Sequence, residues 1–104
     1  MQVNEPTLED LARMFVEFVF ELCDVSPSDS QLIIAIKIRD KILRMDINEL
    51  KTMFRKWLRE KKGLDIQFFD QQFYKIILLI NERQDIVSEV LKKMEHERKL
   101  AQQW

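Results

Sequence analysis

One glycine and two prolines are the strong helix breakers in this 104-residue chain, and each stands beside a signal that starts or stops a helix. Thr7, followed three residues later by Asp10, makes a capping box with Pro6 just outside it. The box predicts a first helix over about residues 8 to 24. Its polar positions Glu9, Arg13, Glu17 and Glu21 recur every fourth residue and form one narrow stripe. Leu8, Leu11, Phe15, Phe18, Val19 and Leu22 cover most of the remaining circumference, so this helix lies at the centre of a bundle or is covered by a partner.

Ser26-Pro27-Ser28-Asp29 repeats the start signal, with Ser26 as cap, Pro27 in the first turn where its missing N–H costs nothing, and Asp29 closing the box. A second helix is expected from there to about Met45. The rival is a strand, because the run from Leu32 to Ile38 is rich in β-branched residues and Ile34, Ile36 and Ile38 alternate. The capping box, and apolar positions continuing through Ile42 and Leu43, decide for the helix.

Asp46 with Glu49 makes a third box. Ile47, Leu50, Met53, Phe54, Trp57 and Leu58 follow at spacings of three and four until Gly63 supplies a left-handed stop. Asp65 or Asp70 can start the next helix, with Phe69, Phe73, Ile76, Ile77 and Ile80 facing inward. One continuous helix over about residues 66 to 100 would be about 50 Å long, against a domain diameter of roughly 30 to 35 Å. Asn81 and Gln84 have capping-box spacing and could break it, but the heptad-like series from Ile66 through Ile80 to Val87, Val90 and Met94 predicts continuity. The expected fold is all-α: one helical domain over residues 1–104, a small bundle of four to five helices, with a long C-terminal helix available as a dimer arm. Val87, Val90, Leu91 and Met94 are the candidate self-association residues on that helix.

Composition narrows the chemistry. Gly63 stands alone, so no known glycine-rich phosphate loop is present. The only histidine, His96, sits in a charged run with Lys93 three residues before it, which suits an exposed helix surface better than a metal ligand or a general base. Glu17 and Glu21 share their face with Glu9 and Arg13, and Glu82, Asp85 and Glu89 lie close to Arg83. Both groups read as solvated, partly paired surface. Cys23 is the only cysteine, which leaves no internal disulfide, and it falls on the apolar side of its helix as packing. No cofactor, metal or catalytic residue is expected. The N-terminus lacks an export signal, and the best apolar stretch, Met14 to Cys23, is interrupted by two glutamates, so a cytoplasmic protein without a membrane span is expected.

Charge is segregated. The first thirty residues hold seven carboxylates against Arg13 alone, whereas residues 37 to 62 hold ten Lys or Arg against four acids, a balance of +6 within a chain of net charge −1. On the third helix Lys51, Arg55, Lys56, Arg59 and Lys62 crowd the side opposite the apolar face. They are the candidate contacts for a partner's acidic surface or for phosphates. Two helices joined by a tight turn, the second basic, are also the raw material of a helix-turn-helix reader. The chain's pI of about 5.9 weighs against that. Trp57 belongs to the apolar face, and Trp104 ends the chain as an indole that would gain by docking on its own domain, a dimer mate or a partner. The leading expectation is a non-enzymatic protein–protein interaction module, a small regulatory adaptor, inhibitor or assembly subunit, homodimeric through its C-terminal helix. The alternative is a small nucleic-acid-binding regulator using residues 37–62.

Overall fold

A computed structural model describes residues 6–68 and 70–102, and among them the chain is all-α, with five helices and no strands. The expectations placed on Phe69 and Trp104 lie outside the described residues. Helix α1 spans Leu8–Leu22 and opens on the predicted box: Thr7 Oγ1 accepts from the Asp10 N–H at 3.1 Å, and Asp10 accepts from the Thr7 N–H at 3.0 Å. It ends with Asp24 in the left-handed region, at φ 56°. Phe15, Phe18 and Phe20 are all buried, and α1 packs against the third, fourth and fifth helices, so its wide apolar face makes it the central element.

Helix α2 spans Gln31–Ile42 and begins four residues later than the sequence predicts. Ser26 and Asp29 do pair, the Asp29 carboxylate accepting from the Ser26 N–H at 2.9 Å, but they close a turn and not a helix. The reason is tertiary. Lys37, nearly two turns into the true α2, reaches back to Asp29 at 2.6 Å and to the Asp24 carbonyl at 2.9 Å, which ties that turn to the end of α1. Ser30 then caps α2 by accepting from the Ile33 N–H at 3.3 Å.

Helix α3 spans Ile47–Trp57, capped by Asp46, which accepts from the Asn48 N–H at 3.2 Å. A π-helical turn over Leu58–Lys62 extends it to Gly63, whose φ of +66° is the predicted left-handed stop. Helix α4 spans Asp70–Glu82 and α5 spans Gln84–Gln102. The predicted continuity therefore fails at Arg83. The Gln84 side chain donates to the Ile80 and Asn81 carbonyls at 3.3 and 3.4 Å, and the Arg83 guanidinium grips Asp85 at 2.8 and 2.9 Å. The break lets Ile86 (0% exposed) and Val90 (3%) fold back onto α1, burial that a straight helix would forgo. The result measures 38 × 37 × 25 Å, so the 19-residue C-terminal helix, about 28 Å long, is part of the globule and not a projecting arm.

A ring network holds the centre. Phe54, fully buried, meets Phe15 edge-on at 5.0 Å, Phe18 at 5.3 Å and Phe68 at 5.4 Å, and Phe73 meets Phe15 edge-on at 5.3 Å. Helix α2 stands apart from this. Ile34 is its one buried residue, and only its Ile34, Ile38 and Ile42 side touches the bundle strongly.

Candidate functional site

The five cations predicted as partner or phosphate contacts all meet acids of their own chain. Lys51 pairs with Asp70; Arg55 and Arg59 share Asp65 at 3.3 and 3.4 Å; Lys56 stands 4.0 Å from Glu60; Lys62 reaches Glu17 at 3.0 Å. The π turn makes part of this possible, because it swings Lys61 and Lys62 toward α1 while Arg59 stays over Asp65. Arg55 Nε is buried without a hydrogen-bond partner, the one such side-chain atom among the described residues.

The polar stripe of α1, predicted to be solvated, is instead a seam between helices. Glu17 accepts from Lys93 of α5 at 2.8 Å as well as from Lys62. Burial pushes the Glu17 carboxyl up, but hydrogen bonds from Lys93 and Lys62 outweigh it and hold the group below the usual carboxylate range. The Trp57 indole N–H donates to Glu21 at 2.8 Å, and Lys62 lies 5.6 Å from the centre of the same ring. Arg13 joins Glu9 at 2.5 Å to Glu89 of α5 at 2.9 Å. Beside the seam runs a charged cleft of about 490 Å³, in which Lys61, Lys62 and Lys93 face Glu17, Glu21 and Glu97. Cations and anions are mixed there at close range.

A second cleft is chemically different. It has a volume of about 580 Å³ and lies between the inner side of α2 and the surface formed by α1, α4 and α5. Helix α2 contributes Ile34, Ala35, Ile38 and Ile42; α1 contributes Phe15, Val16, Val19 and Phe20. Ile77 and Ile80 of α4 and Val87 and Leu91 of α5 form the opposite wall, and Gln31, Gln84 and Ser88 are its polar lining. Large apolar side chains also remain exposed on α2 and at its C-cap (Leu32, Ile33 and Leu43) and on α4 (Tyr74, Ile77 and Leu78), and of these Ile77 lines the groove. Ile77, expected to face inward, is thus a groove residue.

Of the four candidate self-association residues, Val90 is buried in the core and Met94 packs partly against it, while Val87 and Leu91 line the groove. Cys23 is buried and its thiol is pushed up by that burial, with Lys41 opposing, so it is held as the neutral thiol. His96 is exposed on α5. Among the described residues no three His, Cys, Asp or Glu side chains are arranged to hold a metal ion, and no helix is long and apolar enough to cross a membrane. No family model, curated protein or solved structure matches the chain.

The groove was hidden in the sequence by its composition from five separate helices, Leu50 of α3 included. Helix α2 gave no warning of it, because Lys37, Arg39, Asp40 and Lys41 are interspersed among its apolar residues and leave no single clean stripe to read.

Proposed function

We propose that the chain is a non-enzymatic protein–protein interaction module, acting in the cytoplasm, that docks a helix of another protein in the α2 groove. The observation that carries this reading is the groove's lining: its sixteen residues include no charge, and thirteen of them are apolar. Side chains at three- and four-residue spacing on an entering helix would be desolvated against that surface, which is the helix-in-groove mode of recognition. Ile77, one of the exposed large apolar residues of α4, belongs to that lining. Phosphate contact through Lys51, Arg55, Lys56, Arg59 and Lys62 is the weaker reading, because each stands within ion-pair distance of an acid of its own chain that offsets its charge.

A photo-crosslinking side chain placed at Ile77 or Ser88, exposed residues of the groove lining, and separately at Lys56 on the basic helix, tests this in cells. Discrete protein adducts are expected from the groove positions and should survive nuclease treatment. Adducts formed only from Lys56, or lost with nuclease, would contradict the reading and favour nucleic acid.

A further inference from the structure

We infer that the groove's occupant is an acidic amphipathic helix: two to three turns of apolar anchors flanked by Asp or Glu. The inference rests on the groove reading above and adds the chemistry of the partner. Length comes from the walls. Groove residues on α2 run from Gln31 to Ile42, about 16 Å along the axis, and on α5 from Gln84 to Leu91, about 10 Å. That span accommodates anchors at positions i, i+3 or i+4, and i+7 of an entering helix.

Charge comes from the rim. Arg39 lies one turn beyond Ala35 on α2, and Lys92 lies one turn beyond Ser88 on α5, so each flanks a lining residue. Arg39 has only its exposed neighbour Asp40, at 3.4 Å. Lys92 has no acid within ion-pair distance among the described residues, and neither do Lys41 and Arg44 at the C-terminal end of α2 or Lys99 farther along α5. Acids that lack a cation lie elsewhere. Asp24 and Glu97 line the charged cleft; Glu82 is on the face of α4 away from Ile77; Asp46 and Glu49 sit in the first turn of α3, where the helix dipole favours them. Among the described residues the uncharged groove is therefore flanked by Arg39, whose one acid is the adjacent Asp40, and by the unpaired Lys92, and a partner carrying acids beside its apolar stripe complements them. A second copy docking groove to groove would bring Arg39 and Lys92 against the same cations, which disfavours that contact.

A displayed library of amphipathic helical peptides tests the inference on the full chain. Its anchor positions vary among Leu, Ile, Val, Phe and Met, and its flanks vary between Glu and Lys. The selected peptides are then titrated by fluorescence anisotropy near physiological salt. Sequences with Glu flanks should be enriched. Their affinity should fall about tenfold or more on Ala35→Trp, which fills the groove from an exposed position, and the preference for Glu should vanish on Arg39→Glu with Lys92→Glu. Enrichment of Lys flanks, still lost on Ala35→Trp, would overturn the acidic partner and leave the groove reading standing. A stable homodimer of the free protein that Ala35→Trp dissociates would do the same in favour of a second copy. Failure to enrich any sequence, or enrichment indifferent to Ala35→Trp, would overturn both.

Discussion

Replacing Phe54 with Ala removes the ring that joins α3 to the rest of the molecule. Phe54 is fully buried, and four aromatic side chains surround it: Phe15, Phe18, Trp57 and Phe68, with centroids 5.0 to 6.2 Å away. A buried Phe→Ala change costs about 3–5 kcal/mol from lost transfer energy and the cavity left behind. Aromatic pairs contribute about 0.5–1.5 kcal/mol beyond area burial, which places this site at the upper end of that range. A chain of this length is stable by about 5–15 kcal/mol in total, so the variant loses a large share of its stability yet can still fold. With a urea slope of about 2 kcal/mol per molar, a loss of about 4 kcal/mol moves the midpoint down by about 2 M. Urea melts followed by far-ultraviolet circular dichroism measure this, with Lys56→Ala as the exposed control expected within about 0.5 kcal/mol of the parent. A loss below about 1 kcal/mol for Phe54→Ala would refute the ring network as the centre of the core.

Glu17→Gln should flatten the acid side of the stability profile. Because the folded carboxyl is held below its ordinary range, its contribution is present above the unfolded value and lost as pH falls through the folded one, so parallel profiles for parent and variant would contradict the clamp. The Lys93 end has the opposite sign: its ammonium is raised by the hydrogen bond to Glu17, and its contribution fades as pH rises through the folded value. Gly63→Ala should cost about 1 kcal/mol through its left-handed backbone alone, since nothing lies within 4 Å of an added Cβ, and Gly63→Asn should cost less by the same melts. Thr7→Ala should cost about 0.5–2 kcal/mol by removing the cap of α1. Val90→Glu should abolish cooperative folding, because it puts a carboxylate into the core; a folded monomer from that variant would show that α5 does not pack on α1 as described.

Local chemistry made much of the fold legible. Thr7 and Asp10, Asp46, and Gly63 act through groups within a few residues of themselves, and the structure uses each as a helix boundary. Ser26 and Asp29 have the same local pattern, but Lys37 reaches across and makes their turn part of the α1–α2 connection, a contact that spacing along the chain cannot reveal. The apolar series through Arg83 is equally ambiguous. It suits one long helix or two helices bent so that Ile86 and Val90 return to α1, and only the area gained by folding back distinguishes them. Charges were read one helix at a time. Apart from Glu60, one turn from Lys56, the acids that meet the basic residues of α3 and its π turn come from α1, from the segment before α4 and from Asp70, so that pairing emerges only with the tertiary structure.

Methyl-resolved NMR spectra of the Ile, Leu and Val side chains, recorded while a selected Glu-flanked peptide is added to the full chain, test the docking surface most directly. Ile34, Ile38, Ile42, Ile77, Ile80, Val87 and Leu91 come from three separate helices and line the same groove. The account predicts that their signals shift together, saturate with one peptide per chain, and stay unmoved on Ala35→Trp. Shifts centred on Val25 and Leu58, beside the charged cleft and the basic turn, with the groove methyls silent, would contradict it.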